Sequence, residues 1–281
     1  MWKWPPRLKG RELAVPVTIA VLLAVLYGPV LVYLVRVWLE SPYYSHGFLV
    51  LIVSAVIAWL RRKELLKGRP AAAGAAVLAL GLAVYVAGFV YRIQWLWASS
   101  VVPVLAGLLL QFRGVGATRA MLFPLLFLFL MIPLPLGDLA AVPLQSVSAG
   151  WSAWLLQTLG VPVVRTGCEI QLAGTVFLVG APCSGMQTLV SLLAFAVLFA
   201  YLLKGPYLRR TFLVLLALPA ALVANVVRIT FLVYAARTWG EETTLGVLHG
   251  ASSVAVFLLV VMLLFLVARV LRCRLTQAES G

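Results

Sequence analysis

The stretch LAVPVTIAVLLAVLYGPVLVYLV, residues 13–35, decides the fold class. It has no charged side chain, and it is longer than the roughly 20 apolar residues with which a helix crosses a bilayer. Basic residues precede it, and the chain continues through Arg36, Trp38 and Glu40 without a small-residue cleavage site. The stretch is therefore predicted to be a permanent membrane anchor and not a signal peptide.

Further apolar runs follow along most of the chain. Of the 281 residues, 64% are hydrophobic and 11% are charged, whereas ordinary soluble domains have about 25% charged residues. These values exclude a water-soluble protein and predict an all-α polytopic membrane protein with about eight transmembrane helices. We treat residues 1–281 as a single integral-membrane domain. The predicted spans are residues 13–35, 47–60, 71–90, 96–112, 120–136, 183–203, 211–236 and 250–270.

The segment between the fifth and sixth spans, about residues 137–182, is too polar and too broken by Pro and Gly to be a plain span. Its first half, from Pro143, is predicted to be an interfacial or re-entrant helix that holds Trp151 and Trp154 at headgroup depth. Its second half, residues 161–179, alternates around Thr166 and Gly167 and predicts a small hairpin. We expect this irregular segment at the outer face.

The Lys and Arg residues follow the positive-inside rule. The net charge is +14, but the basic residues occur in short clusters between the apolar runs. We therefore attribute the charge to topology, with membrane lipid as the surroundings and no nucleic-acid partner. With the N-terminus inside, both termini are cytoplasmic, and the inner face receives 17 of the 22 basic residues: Lys3, Arg7, Lys9, Arg11, Arg61, Arg62, Lys63, Lys67, Arg69, Arg113, Arg119, Lys204, Arg209, Arg210, Arg269, Arg272 and Arg274.

The three cysteines, Cys168, Cys183 and Cys273, are too few for a disulfide framework or a zinc ribbon. At least one of them must be unpaired. No cofactor and no metal site is predicted.

Three polar residues lie at a common predicted depth. Cys183, Arg228 and His249 are each 18 to 21 residues along the chain from a basic residue of an inner cluster. At about 1.5 Å of rise per residue, that places each about 27–32 Å from the inner surface, roughly one hydrocarbon thickness. They stand on three successive predicted helices, so we expect them to converge near the outer face.

The surroundings of Cys183 favour a reactive thiol. Pro182 suits a helix start, and Ser184 and Gly185 leave backbone N–H groups without helical partners in the first turn. The positive end of a helix favours the thiolate, and the same N–H groups can hold an oxyanion. A lone cysteine in an apolar helix is, however, usually a small hydrophobic residue.

The other polar residues complete a possible acyl-transfer site. Arg228 can lower the proton affinity of the thiol or bind a substrate oxygen, and an arginine inside a span is normally functional or paired. His249 can move protons on and off the leaving and entering amines, or it can simply cap a helix at the interface. Asn225 is predicted to support Arg228 from one turn away. His46 is either a second catalytic candidate or an anchor of an outer loop.

The sequence resembles the exosortase/archaeosortase family of membrane-embedded cysteine transpeptidases. The resemblance extends over nearly the whole chain and rests on the order and spacing of several short strings. These are YSHGFLV at 44–50, MIPLP at 131–135, PLQ at 143–145, LGVPVVRTG at 159–167, PCSGMQTL at 182–189, LPAALVANVVRIT at 218–230 and LHG at 248–250.

The resemblance implies a catalytic set of Cys183, Arg228 and His249. It also implies a multi-pass protein of the bacterial inner membrane with its active site near the periplasmic face. Its clients would be exported proteins that end in a Pro-Glu-Pro-like motif, a hydrophobic helix and a basic tail, and their new C-terminus would pass to a cell-surface acceptor. Members often have an acidic residue before the cysteine motif and a basic residue after it, where this chain has Gly180-Ala181-Pro182 and Gln187, so the subfamily stays open.

Two other functions fit the same residues. A transporter or flippase of envelope polysaccharide precursors would use Arg228 to bind an anionic group and would tolerate loss of Cys183. An intramembrane protease would share the thioester chemistry but use water in place of an amine.

Overall fold

The computed structural model describes residues 10–41, 43–66, 69–172, 175–178, 186–240, 244 and 248–275. These residues are mainly helical. The helices are α1 Gly10–Glu40, α2 Gly47–Leu60, α3 Ala73–Val90, α4 Gln94–Ser99, α5 Val101–Ala120, α6 Leu122–Phe127, α7 Leu136–Thr158, α8 Met186–Leu202, α9 Tyr207–Trp239 and α10 His249–Val270. Short 3-10 helices cover Arg62–Leu66 and Leu128–Met131. The strands are β1 Val163–Thr166, β2 Glu169–Leu172, β3 Thr175–Leu178, β4 Leu203–Lys204 and β5 Arg274–Leu275.

Five of these helical stretches are long and apolar enough to cross a membrane, which makes the chain a multi-pass membrane protein. They are Pro16–Glu40, Ala73–Val90, Gln94–Ala120, Tyr207–Trp239 and Gly250–Val270. Three further apolar helices, Gly47–Leu60, Leu122–Met131 and Met186–Leu202, are shorter. They fall within predicted spans, but the count of eight crossings stays a prediction.

The structure tests the ends of the fourth and fifth predicted spans. The fourth predicted span ends at residue 112, close to the break in α5 at Gly114, and a second helical piece then continues to Ala120. The helix changes direction at Gly114, whose φ of 75° lies in the left-handed region that glycine adopts without a steric penalty. The fifth predicted span, residues 120–136, is interrupted because α6 ends at Phe127 and tightens into the 3-10 helix Leu128–Met131.

The chain forms two compact units. The first unit contains Met1–Ser41 and Gly47–Pro133, and the second contains Pro42–His46 and Leu134–Gly281. The short segment around His46 thus belongs with the later part of the chain.

Glycines let α3 and α5 approach closely in the first unit. Gly74, Gly81 and Gly88 are buried and seven residues apart, so they share one face of α3. A Cβ added at Gly81 would lie 2.8 Å from the backbone nitrogen of Val104 on α5. At Gly107 of α5, the added atom would lie 2.5 Å from a backbone nitrogen of α3. The contact therefore has no room for side chains at these positions.

We expect Gly81→Ala to lower the unfolding temperature in detergent, because its methyl group would have to push α5 away. Overpacking of this kind typically costs about 1–3 kcal/mol. Gly28→Ala on α1 is the matched control, since an added Cβ there has no atom within 4 Å. Alanine is the better helix former, so the control should be neutral or slightly more stable. Equal unfolding temperatures for the two variants would contradict the close α3–α5 packing.

In the second unit, α7 packs on a three-stranded antiparallel sheet of order β1-β2-β3. The hairpin predicted around Thr166 and Gly167 is present as β1 and β2, with Thr166 opposite Glu169. The third strand was not predicted. The helix begins at Leu136, earlier than the predicted start at Pro143, and Pro143 lies inside it. One buried core joins the helix, the sheet and α9: Ala149, Ala153, Leu156, Val161, Val163, Ile170, Leu172, Ile229 and Val233.

The rest of the second unit is a bundle of α8, α9 and α10. Its core is formed by Leu192, Ala196, Phe199, Leu203, Leu213, Ala217, Ala221, Val260, Leu264 and Ala268. Strand β4 directly follows α8 and pairs with β5, which follows α10. Arg209, near the start of α9, donates from Nη1 to the carbonyl oxygen of Leu271 at 2.7 Å. The last residues of α8 and α10 therefore meet the first residues of α9 at one end of the bundle.

Candidate functional site

Polar side chains connect α7 to α9 inside the second unit. Nδ2 of Asn225 donates to Oγ of Ser148 at 3.2 Å, and Oγ of Ser152 donates to the carbonyl oxygen of Val226 at 3.2 Å. Ser148 and Ser152 are fully buried. Their positions, four residues apart, put them on one face of α7, and their small size allows the two backbones to approach.

Arg228 lies one turn beyond Asn225 on α9 and is 2% exposed, and Asn225 itself is 1% exposed. The next residue, Ile229, enters the core shared with the sheet and α7. A guanidinium buried in a membrane-spanning helix is costly, and such residues mark functional sites by default. The structure thus bonds Asn225 to Ser148 of α7 and buries Arg228 one turn further along α9.

Arg228 lies at the end of the bundle where α8 and α10 begin. It stands 21 residues after Tyr207, the first residue of α9, which corresponds to about 32 Å of helix. Since α8 has 17 residues and α10 has 22, they are about 26 Å and 33 Å long. Their final residues meet the start of α9, so their first residues lie at the Arg228 end.

The other two predicted catalytic residues border these helix starts in the sequence. Cys183, together with Ser184 and Gly185, lies outside the described residues and directly precedes Met186, where α8 begins. His249 is the first residue of α10, and its side chain also lies outside the described part.

His46 is half-buried in the segment that joins the second unit. Its ring centroid lies 6.3 Å from that of Tyr44, whose hydroxyl donates to the carbonyl oxygen of Leu134 at 3.0 Å. These contacts attach the segment next to the start of α7, and the choice between a catalytic and an anchoring role for His46 stays open.

A second arginine, Arg165 on β1, is fixed on a different face of α7. Its Nε donates to the carbonyl oxygen of Gly167 at 2.8 Å, and its Nη2 donates to Oγ of Ser146 at 2.8 Å. Trp151 and Trp154 are exposed and form an edge-to-face pair, 5.9 Å apart, in the same groove of about 580 Å³. Ser146 and Ser148 point about 200° apart around the helix, so this groove is separate from the surroundings of Arg228.

Ser148 and Ser152 are the site residues that sequence reasoning missed. The signal was present, since SAGWSA at 148–153 repeats a Ser-Ala pair at a spacing of four, the small-residue pattern of close helix pairs in membranes. Among the residues that the structure describes, no group of three or more His, Cys, Asp or Glu side chains is placed to hold a metal ion.

The model of the transmembrane exosortase family matches residues 38–266, which include every residue proposed for the site. The chain belongs to the exosortase family. The match extends over both compact units of the chain, from the last three residues of α1 into α10. No curated protein and no solved structure matches the chain.

Proposed function

We propose that this chain is a membrane-embedded cysteine transpeptidase. It cleaves the C-terminal sorting signal of exported proteins through a thioester on Cys183 and transfers the new C-terminus to a cell-surface acceptor. The observation that carries the proposal is the burial of Arg228 on α9, the helix that packs on α7, at the end of the bundle where α8 and α10 begin. Family membership supports the same chemistry.

The proposed reaction divides into two acyl transfers. The Cys183 thiolate attacks the carbonyl carbon of the scissile peptide bond, and the carbonyl oxygen becomes an oxyanion to which Arg228 donates hydrogen bonds. The C–N bond then breaks as His249 gives a proton to the leaving amine. In the second step an acceptor amine attacks the thioester, His249 takes its proton, and the Cys183 sulfur leaves as a thiolate. Asn225 is a positioning residue that holds α9 to α7 beside Arg228.

The proposed clients carry a Pro-Glu-Pro-like motif, a hydrophobic helix and a basic tail. A client helix of this kind reaches the site from within the bilayer, which agrees with a multi-pass membrane protein. We place the protein in the bacterial inner membrane with both termini cytoplasmic and the site near the periplasmic face. The segment 137–182 then lies at the outer face.

The test is coexpression with one client in two forms, with its complete tail and with the hydrophobic helix and basic tail removed. We expect the complete form alone to be converted, and intact-mass measurement should show a shortened C-terminus joined to an added acceptor. A shortened product with a free carboxyl group would indicate hydrolysis by water. An unchanged client, together with altered export of polysaccharide precursors, would favour the transporter or flippase.

The proposed orientation predicts how the cysteines react with a membrane-impermeant thiol reagent. Applied from outside to sealed cells, the reagent should modify Cys183, unless the 137–182 segment covers it, and should spare Cys273. Cys273 follows α10 at the basic end of the bundle, so it should react only after the inner face is opened. Peptide mass spectrometry measures both sites. Labelling of Cys273 in sealed cells would overturn the orientation.

A further inference from the structure

Three arginines line a groove of about 680 Å³ at the end of the bundle opposite Arg228. The arginines are exposed and come from the last turn of α10 and the residues that follow it. None of the described residues that line the groove is acidic. Its other wall is apolar and aromatic. The main residues are Arg269, Arg272 and Arg274 on the basic side and Phe199, Met262 and Phe265 on the apolar side.

The backbone at Arg272 is one that glycine usually provides. The N–H of Arg272 donates to the carbonyl oxygen of Arg269 at 3.0 Å, and the N–H of Cys273 donates to that of Ala268 at 2.9 Å. This bonding pattern ends a helix with one left-handed residue, most often glycine. Here the residue is Arg272, with φ of 56°. An arginine at this position, where glycine is usual, places a cationic side chain just beyond the helix end, in the lining of the groove.

The other two arginines are held in regular secondary structure, Arg269 in α10 and Arg274 in β5. Arg269 lies in the last turn of α10, where a cation is favoured by the helix dipole alone. That explanation does not extend to Arg274, which lies beyond the helix in β5 opposite Lys204 of β4. Cys273, which lies between Arg272 and Arg274 in the sequence, also lines the groove. The positive-inside rule accounts for a basic cluster here, and the structure adds that its three arginines line the same groove.

We propose that this groove binds the phosphate of an anionic membrane lipid. Guanidinium groups match phosphate oxygens with paired hydrogen bonds, and basic pockets between membrane helices suit acidic headgroups. The aromatic and aliphatic wall fits an acyl chain, which a soluble anion or a nucleic acid does not have. Both halves of the groove are therefore used only by a lipid with a net negative headgroup.

The first measurement uses the full wild-type chain in a neutral detergent. Phosphatidylglycerol is expected to bind in native mass spectrometry and to slow the labelling of Cys273 by a maleimide, followed on its peptide. Phosphatidylcholine with the same acyl chains and inorganic phosphate should do neither at the same concentration. Equal protection by inorganic phosphate would show that the groove binds free anions. Equal protection by phosphatidylcholine would show that binding depends on the apolar wall alone. Either result overturns the proposal.

The second measurement separates the side chain from the backbone. Arg272→Gly removes the backbone strain at the left-handed position, so the unfolding temperature in lipid-free detergent should stay equal or rise. The affinity for phosphatidylglycerol should fall about tenfold or more, because charge-assisted hydrogen bonds are lost. Arg92→Gly is the matched control, because Arg92 ends α3 in the same conformation, with φ of 55°. It should leave lipid affinity unchanged.

Arg274→Gln provides an independent check that leaves the end of α10 intact. It should also weaken phosphatidylglycerol binding. Wild-type affinity in both Arg272→Gly and Arg274→Gln, or the same loss in Arg92→Gly, would refute the lipid site.

Discussion

Cys183→Ala is expected to yield a folded, membrane-inserted protein that leaves its client unprocessed. The thioester needs the sulfur, whereas the small apolar methyl group of alanine suits the chain just before α8. Removing the nucleophile should lower client conversion below detection, because water and the remaining residues would have to supply the whole acyl transfer. The measurement is the gel shift of a coexpressed client at matched membrane abundance of the enzyme.

The other two cysteines are the matched controls. Cys168 lies in the turn between β1 and β2, Cys273 follows α10, and both are half-buried free thiols. Cys168→Ala and Cys273→Ala should process the client normally, although Cys273 lines the lipid groove. Wild-type processing by Cys183→Ala would refute the transpeptidase proposal. It would leave the transporter hypothesis, which does not require this thiol.

Arg228→Lys is expected to fail nearly as badly as Arg228→Ala, although lysine keeps the positive charge. If Arg228 were only a distant counter-ion of the thiolate, an ammonium group would partly replace it. A guanidinium can donate two parallel hydrogen bonds to a carbonyl oxygen or a carboxylate, which an ammonium cannot reproduce. Loss of an oxyanion donor typically costs about 3–4 kcal/mol, or on the order of a hundred- to thousand-fold in rate.

The surroundings of Arg228 make the lysine substitution more severe. The side chain is 2% exposed, and burial makes a lysine easier to neutralise. Ser148→Ala serves as the positioning control, since it removes the hydroxyl that accepts from Asn225 but keeps Arg228. It should lower the rate only modestly. Client cleavage is compared at matched abundance and with unfolding temperatures recorded for all variants, and near-normal turnover by Arg228→Lys would remove Arg228 from the oxyanion role.

The length of the apolar runs predicted the ends of two helices to within one residue. The predicted spans 47–60 and 250–270 agree with α2, Gly47–Leu60, and with α10, which starts one residue earlier at His249. At α5 the predicted end at residue 112 lies just before the break at Gly114. The second helical piece, which carries Arg119 and ends at Ala120, was not predicted. The third strand was missed because Thr175–Leu178 ends in three successive apolar residues and so lacks the alternation that predicts a strand.

The site was partly predictable for a similar reason. A charged residue in an apolar run stands out, so Arg228 and its neighbour Asn225 were found from sequence. Ser148 and Ser152 do not stand out in a polar segment, and their role depends on which face of α7 meets α9. The convergence of Cys183 and His249 on Arg228 stays a prediction, although the helices that they precede or begin do share one end of the bundle.

The burial of Arg228 has a consequence for biosynthesis. An arginine at the membrane centre costs about 2.5–3.5 kcal/mol during insertion by the translocon, which is an upper bound for Arg228 at its proposed depth near the outer face, whereas each Leu, Ile, Phe or Val contributes about 0.3–0.6 kcal/mol in favour of insertion. Helix α9 carries fifteen such apolar residues along its 33 positions. Their combined contribution offsets the insertion cost of one arginine, so α9 can insert into the bilayer without a partner helix. Helix α7 leaves the ribosome first, and the surface that carries Ser148 and Ser152 is therefore already made when Arg228 arrives.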